Sequence, residues 1–181
     1  MALLPQQVPK LPEGYISRDA VVEDITNFLR VEDRPPNSAE SHIIVALGMG
    51  GSGKSVTAAA VVRDKEVRTM FDKICFLPVG QQPVVRDLYR QLHFQLCEGK
   101  PLDPALVDNE ACFHAIQRAC LGQSILLVLD DVWDKNHVEI FDCVDPASKS
   151  RVLVTSRVSG IAVGAPEVQI GRSPPVGKVG A

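Results

Sequence analysis

The segment 42–55 carries the residue pattern that most clearly suits chemistry. Its apolar part, 42–47, leads into Gly48-Met-Gly-Gly-Ser-Gly-Lys-Ser55, and every fixed position of the phosphate-binding pattern Gly-x-x-x-x-Gly-Lys-Ser is filled. Glycines let the backbone turn tightly and aim its N–H groups at phosphate oxygens, while the following helix presents its partly positive N-terminus. A glycine-rich turn that binds nothing is the alternative. The register of strand, loop, Lys-Ser and helix argues against it.

Within this loop, Lys54 and Ser55 have separate chemical roles. Lys54 is a flexible positive charge suited to the β- and γ-phosphates, and the Ser55 hydroxyl can ligate Mg²⁺. We expect the Lys54 side chain to face a solvent-filled loop when no nucleotide is bound. The residues predicted to contact nucleotide here are Gly48, Met49, Gly50, Gly51, Ser52, Gly53, Lys54, Ser55 and Val56.

Two carboxylates end the apolar run 124–130 and extend one residue beyond it. Ligands of open α/β sheets bind at the carboxyl ends of the strands. Asp130 therefore suits the acidic residue that completes the Mg²⁺ shell, usually through water, beside Ser55. Asp131 lies one residue farther toward the γ-phosphate and can orient an attacking water. A helix-capping Asp pair is the alternative. We take Lys54 and Asp131 as candidate catalytic residues, and Ser55 and Asp130 as candidate metal ligands.

Arg157 follows the next apolar run, 151–154, in the sequence Thr155-Ser156-Arg157. The end of that strand also faces the nucleotide edge of a doubly wound sheet. A guanidinium is a planar fork that suits phosphate, so Arg157 can sense the γ-phosphate. An ordinary surface arginine is the alternative, and position alone does not decide between the two.

Composition limits the classes of function. The chain has 181 residues, a formal net charge of −3 and an isoelectric point near 5.8, which disfavours nonspecific binding to nucleic acid or anionic membranes. It has no apolar run near the ~20 residues of a spanning helix and no signal-peptide pattern. An odd number of cysteines without Cys-x-x-Cys spacing indicates a reduced, cytoplasmic protein with buried thiols. They are Cys75, Cys97, Cys112, Cys120 and Cys143.

The elements that must position these residues alternate along the chain. Helices are predicted at 19–30, with Asp19 as its cap, and at 54–64, 83–97 and 108–121. Strands are predicted at 42–47, 73–79, 124–130, 151–154 and 167–170, and Pro78 favours an edge position for the second. This order predicts an α/β fold, a P-loop NTPase three-layer sandwich with a five-stranded parallel sheet.

The chain is predicted to divide into three segments. Residues 1–14 contain several prolines and little periodicity, and we predict an extended N-terminal arm. Residues 15–171 form the predicted nucleotide-binding domain. Residues 172–181 have turn-forming residues and almost no apolar surface, which is typical of a disordered tail.

Four stretches resemble the nucleotide-binding core of NB-ARC proteins, the signal-transduction ATPases that include apoptotic protease-activating factor and plant disease-resistance proteins. The resemblance covers about residues 10–171. The most specific stretch is Leu126-Leu-Val-Leu-Asp-Asp-Val-Trp133, because Asp-Asp-Val-Trp after an apolar strand is much rarer than a generic acidic strand end. The others are Tyr15-Ile-Ser-Arg-Asp19, Gly48-Met-Gly-Gly-Ser-Gly-Lys-Ser55 and Val152-Leu-Val-Thr-Ser-Arg157.

The resemblance implies further roles. Tyr15, Ile16 and Arg18 match the entry motif that closes over adenine, and Arg157 matches the sensor arginine. It also implies that the strand of Asp130 neighbours the strand of Arg157, which in turn lies beside the phosphate-loop strand. Relatives continue into a small helical domain and a winged-helix domain with Gly-Leu-Pro-type and Met-His-Asp-type motifs. Neither motif occurs here, so we expect a nucleotide-binding core alone, as a fragment or a truncated product.

Three functions compete at this stage. The leading one is a switch module that binds ADP or ATP with Mg²⁺, is at most a slow ATPase, and meets protein partners or itself through domains absent from this chain. A non-catalytic interaction fragment with an incomplete nucleotide pocket is the second. A small-molecule P-loop kinase is the third, and it is disfavoured because the segment 80–122 offers only Arg86, Arg90 and Arg118 for a substrate lid.

Overall fold

A parallel sheet forms the centre of the computed structural model, which describes residues 1–30 and 41–171. Its strands are β1 (Ile43–Leu47), β2 (Lys73–Pro78), β3 (Ile125–Val132), β4 (Arg151–Ser156) and β5 (Glu167–Gln169). They lie in the order β2-β3-β4-β1-β5, and every neighbouring pair is parallel. The predicted five-stranded sheet is confirmed. So are the edge position of the Pro78 strand and the placement of the Arg157 strand between the Asp130 strand and the phosphate-loop strand.

The described residues form six helices, of which the first precedes β1 and the others connect strands: α1 (Asp19–Leu29), α2 (Lys54–Arg63), α3 (Lys65–Met70), α4 (Val85–Leu96), α5 (Asn109–Cys120) and α6 (Lys135–Phe141). The sequence patterns predicted four of them and missed α3 and α6. The expected cap at Asp19 is wrong, because Arg18 holds the N-cap position and Asp19 is the first helical residue. In the part of the chain that the structure describes, no helix has the length and apolar character that a membrane crossing needs.

The hydrophobic core lies on both faces of the sheet because successive strand side chains point to opposite sides. On one face, Ile44 and Val128 pack with α1, α2 and α3, and the small residues Ala58 and Ala59 bring α2 close to the sheet. On the other face, Val45 and its neighbours pack with α4, α5 and α6. The result is the predicted three-layer sandwich, with the carboxyl ends of the strands left open at one edge.

The N-terminal segment packs on α3. Within the described residues, the first 14 form no helix or strand. The Ala2 amide donates to the Arg68 carbonyl at 2.7 Å, and Arg68 Nε donates to the Ala2 carbonyl at 3.0 Å. Ala2 and Val8 are buried in the core cluster on that side. The predicted tail, 172–181, lies outside the described residues.

Candidate functional site

Glycines shape the loop between β1 and α2. Gly53 holds the N-cap position of α2 with φ of +86°, in the left-handed region where a side chain is strained. At Gly50, an added Cβ would come within 2.8 Å of Arg157 Nη1. The first position therefore needs the backbone freedom of glycine, and at the second the missing side chain lets the Arg157 guanidinium lie against the loop. The N-terminus of the ten-residue helix α2 opens directly onto this loop.

A cavity of about 580 Å³ lies beside the loop at the carboxyl edge of the sheet. It brings together eight of the residues predicted from sequence and adds Pro78 and Gly80, which belong to no predicted motif. The predicted residues that line it are Gly51, Gly53, Lys54, Ser55, Val56, Asp130, Asp131 and Arg157.

The remaining predicted loop residues lie next to this cavity rather than on its wall. Gly48 packs against Ser52 and Ile170, and an added Cβ there would lie 2.5 Å from Ser52 Oγ. Met49 projects outward with 82% of its surface exposed. Gly50 lies against the Arg157 guanidinium.

The expectation that Lys54 faces a solvent-filled loop is wrong. Only 7% of the residue is exposed, and its Nζ donates a hydrogen bond to the Met49 carbonyl at 2.7 Å. Burial lowers the pKa of Lys54 and the nearby Arg157 charge lowers it further, while Asp131 and Asp130 act in the opposite direction. The ammonium is thus folded back on its own loop, where it closes the turn.

Asp130 stands at the centre of a hydrogen-bonded group. Its Oδ1 accepts from Ser55 Oγ at 2.9 Å and from Thr155 Oγ1 at 2.6 Å. Burial raises the pKa of Asp130 and the Asp131 charge adds to this, whereas the two hydroxyl hydrogen bonds and Lys54 oppose it. A buried carboxylate beside a second carboxylate is a place that favours a cation.

Thr155 links the two carboxylate residues, and sequence reasoning assigned it no role. The Asp131 amide donates to Thr155 Oγ1 at 2.8 Å, while the same hydroxyl donates to Asp130. Asp131 has φ of 58°, and the register between β3 and β4 shifts between Leu129 and Val132. This irregularity lets two consecutive residues, Asp130 and Asp131, both line the cavity. The only sequence signal was the place of Thr155 at a strand end.

Arg157 is held between an aromatic ring and the loop. Its Cζ lies 4.7 Å from the centroid of the Trp133 ring, and its Nη1 lies against Gly50. Trp133 belongs to the rare Asp-Asp-Val-Trp stretch but had no predicted role of its own. The pair places a positive charge beside the cavity together with Lys54.

The entry segment reaches the loop through one residue. Arg18 Nη1 donates to the Ser52 carbonyl at 2.7 Å, and its guanidinium lies beside Gly53. Ile16 is 84% exposed. The Tyr15 hydroxyl is buried without a hydrogen-bond partner among the described residues. Of the three predicted adenine contacts, the structure brings Arg18 to the phosphate loop.

The donor set fits a nucleotide with a magnesium ion. Backbone amides at the start of α2, together with Lys54 and Arg157, suit phosphate oxygens. Ser55 and Asp130 supply two oxygen ligands of the kind that Mg²⁺ prefers. Across residues 1–30 and 41–171, no group of three or more His, Cys, Asp or Glu side chains is placed to hold a metal. Phosphate oxygens and waters would therefore complete the shell, as is usual for Mg²⁺.

Comparisons with known proteins agree with this geometry. The family model described as NB-ARC domain matches residues 18–170. Disease resistance RPP13-like protein 4 of Arabidopsis thaliana is 30% identical over 129 residues, which cover 70% of this chain and 15% of that protein. Apoptotic protease-activating factor 1 of Danio rerio is 32% identical over 160 residues, which cover 83% of this chain and 12% of that protein. The chain spans only a small part of either relative.

A solved structure shares the fold. A Signal Transduction ATPase with Numerous Domains protein with a tetratricopeptide repeat sensor, from Pyrococcus horikoshii, matches with a TM-score of 0.53 at 14% identity. The match covers 93% of this chain and 25% of that chain. Because the family model spans most of the sequence and the phosphate loop has the required geometry, the chain belongs to the NB-ARC family, as a nucleotide-binding signalling domain.

Proposed function

We propose that this domain binds ADP or ATP together with Mg²⁺ and serves as the nucleotide-binding core of a signalling switch. The observation that carries the proposal is the contact between Ser55 Oγ and Asp130 Oδ1 at 2.9 Å, beside Lys54 at the start of α2. One hydroxyl and one carboxylate are thus held at the spacing of two neighbouring ligands in a magnesium shell, next to the charge that binds phosphate.

In this proposal, Lys54 exchanges one partner for another. Without nucleotide it donates to the Met49 carbonyl. A bound β- or γ-phosphate would replace that neutral acceptor with a charged one, which makes a shorter and stronger hydrogen bond. The same phosphate charge would offset the repulsion between Lys54 and Arg157. An anion that enters the site would therefore stabilise the buried Lys54 ammonium.

Bound Mg²⁺ would supply positive charge at the phosphates and between the carboxylates. Ser55 and Asp130 would hold it, and Thr155 would keep Asp130 oriented through its 2.6 Å hydrogen bond. Asp131 lines the same cavity and is free to serve the other task, orienting a water toward the γ-phosphate. Hydrolysis would be slow, since water exclusion and a complete charge shell usually require closure of the site.

The adenine side supports loose binding and rapid exchange. Ile16 and Met49 are 84% and 82% exposed, so the entry segment and loop leave apolar surface open on that side. Polar contacts in an open site compete with water, and ordering the entry segment costs affinity. We expect micromolar or weaker affinity and no stoichiometric ADP after purification.

The switching role and the partners follow from the relatives. Their names refer to disease resistance and to apoptosis, and this chain matches only a small part of their length. We infer that a longer parent couples nucleotide state to protein partners or to self-assembly through other domains.

A non-catalytic interaction fragment is the second candidate, and the same exposed Ile16 and Met49 favour it. The kinase alternative has less support. Arg86 donates to the Leu106 carbonyl at 2.8 Å, and Arg90 pairs with Asp87 at 3.1 Å. Two of the three arginines available for a lid thus already have partners, one in the loop before α5 and one on α4 itself.

Equilibrium titration of the full chain with ADP and ATP, each with and without Mg²⁺, tests the proposal. Saturation at one nucleotide per chain, tighter with Mg²⁺, supports the switch core. Absence of saturable binding up to millimolar nucleotide supports the interaction fragment instead. Transfer of phosphate from ATP to an added small-molecule acceptor would favour the kinase. One ADP per chain retained through purification would refute the loose-site expectation and show a closed pocket.

A further inference from the structure

Two cysteine thiols meet on the side of the molecule covered by α5 and α6. Cys120 is the last residue of α5, and Cys143 follows the end of α6 by two residues. Their sulfur atoms lie 3.6 Å apart in a thiol–thiol hydrogen bond. A disulfide needs a sulfur separation of about 2.05 Å. Closing the pair requires the two sulfur atoms to approach by ~1.5 Å.

The pair is reachable from solvent through a cavity. Both cysteines line a cavity of about 510 Å³, although only 5% of Cys120 and 3% of Cys143 is exposed. The wall also carries His114 and Arg118 from α5 and Asp145 from the opposite side. A cavity of this volume has room for water and for a small oxidant such as hydrogen peroxide. Arg118 places a positive charge on this wall, and Asp145 places a negative one.

The two sulfurs are not equivalent. The hydrogen bond between the two thiols lowers the pKa of Cys120, and this outweighs the effects of burial and of Asp142. The same contact raises the pKa of Cys143, as does its burial. A thiolate is the nucleophile in thiol oxidation. Cys120 thus has the character of an attacking thiol, and Cys143 has the character of a resolving thiol.

We propose that Cys120 and Cys143 form an oxidation site that hydrogen peroxide converts to a disulfide. The Cys120 thiolate attacks one peroxide oxygen, the O–O bond breaks, and the hydroxide that leaves takes up a proton to become water. Cys143 sulfur then attacks the Cys120 sulfenic acid, the S–O bond breaks, and a second water departs with the Cys143 proton. Two thiols are oxidised, and one peroxide is reduced to two waters.

The bridge would tie together the part of the chain that carries the carboxylates. The closed loop runs from Cys120 to Cys143 and contains all of β3 and α6. Cross-linking a loop restricts the unfolded chain and raises stability when the native geometry is kept. Oxidation should therefore raise the unfolding temperature without changing the fold.

The remaining cysteines provide internal comparisons. Cys75 is fully buried, and burial raises the pKa of its thiol. Cys112 is also fully buried. Cys97 is half-buried and contacts His93 Nε2 at 3.4 Å on its own helix. Accessibility alone predicts Cys97 as the first site of oxidation, whereas the paired geometry predicts Cys120.

The experiment treats the full reduced chain with a small excess of hydrogen peroxide and maps peptides without reduction. We expect a cross-linked Cys120–Cys143 peptide, an intact mass lower by two hydrogens, and a higher unfolding temperature. Cys97→Ser, the matched control, should form the bridge at the wild-type rate. Cys143→Ser should leave Cys120 as a sulfenic acid that dimedone traps.

Two results would overturn the proposal. One is oxidation of Cys97 with Cys120 and Cys143 left as free thiols. The other is a bridge that includes any other cysteine. If Cys143→Ser fails to fold, timed alkylation of the native wild-type protein tests whether Cys120 is the reactive thiol. Faster labelling of Cys120 than of Cys75, abolished by prior peroxide treatment, supports the site, and equal labelling rates refute it.

Discussion

The guanidinium of Arg157 lies over the indole of Trp133, with Cζ 4.7 Å from the ring centroid. The other side of the guanidinium contacts the phosphate loop, because a Cβ at Gly50 would come within 2.8 Å of Nη1. Trp133 therefore holds the positive charge of Arg157 beside the loop. This contact explains why a tryptophan suits the last position of the Asp-Asp-Val-Trp stretch.

Replacing Trp133 by Leu should weaken ATP binding while leaving binding of adenosine little changed. The substitution removes a cation–π contact worth about 0.5–2 kcal/mol, which corresponds to a decrease in ATP affinity of a few-fold to about thirtyfold. Calorimetric titration with both ligands gives the comparison. Trp133→Phe keeps an aromatic face and should lose less. Equal losses for ATP and adenosine would contradict a role through Arg157.

Replacing Thr155 by Val should destabilise the domain by about 1–3 kcal/mol, the cost of leaving a buried polar group unsatisfied. The fully buried hydroxyl serves both Asp130 Oδ1 and the Asp131 amide. Urea unfolding measures the change. Thr155→Ser retains the hydroxyl and is the matched control, and it should recover most of the Mg²⁺-dependent ATP affinity. A Val variant with wild-type stability and wild-type Mg²⁺ dependence would show that Thr155 positions neither carboxylate.

Much of this site could be predicted because its patterns are local. The phosphate loop Gly48–Ser55 is recognisable from its glycine, lysine and serine residues at fixed spacing, and β1 before it is a continuous apolar run. The burial of β3 on both faces is visible in the same way. These features depend on a residue and its near neighbours, so one sequence suffices.

The rest depends on contacts between distant segments. Thr155 meets Asp130 across 25 positions, and nothing in either segment alone indicates the pair. The burial of Lys54 depends on how the loop folds back on Met49. Helices α3 and α6 contain only six and seven residues, too few for a periodic pattern to show. Their N-caps, Asp64 and Asp134, are typical capping residues, but aspartate is equally common in loops.

The two carboxylates should separate in function when each is changed. Asp130→Ala should reduce the Mg²⁺-dependent part of ATP affinity, because it removes a predicted magnesium ligand. Asp131→Asn should preserve binding and slow any hydrolysis, because it removes the group expected to orient water.

Asparagine is the appropriate replacement at Asp131, since φ there is 58° and Asn tolerates the left-handed region. Titration with and without Mg²⁺ and single-turnover phosphate release give the two readouts. The assignment is reversed if Asp131→Asn abolishes binding while turnover per bound nucleotide stays unchanged.

Asp72 should make stability depend on pH at the acid end. Its Oδ2 accepts hydrogen bonds from the Ser124 amide at 2.8 Å and from Ser124 Oγ at 3.0 Å. These bonds lower the pKa of Asp72. A carboxyl whose pKa is lowered on folding adds stability above its unfolded pKa of about 3.9, and that stability is lost as pH falls through the folded pKa.

Urea unfolding of wild type and Asp72→Asn at pH 7 and pH 3 measures this contribution. We expect the variant to be less stable at pH 7 and the difference to shrink at pH 3. Asp72 is exposed, so solvent screening keeps the effect small. Asp24→Asn, at an exposed position on α1, is the matched control. A difference that is the same at both pH values would reject the linkage.

Nucleotide phosphates bound on the loop 48–55 are the central claim, and the ATP affinity of Lys54→Ala tests it most directly. Calorimetric titration with Mg²⁺ and ATP should show a loss of about tenfold to a hundredfold relative to wild type, from one charge-assisted contact of about 1.5–3 kcal/mol. Lys65→Ala removes an exposed lysine from neighbouring α3 and should bind as wild type does. Unfolding of each variant checks that the fold is kept. Equal ATP affinity in wild type and Lys54→Ala would remove the phosphate loop from the site and contradict the account.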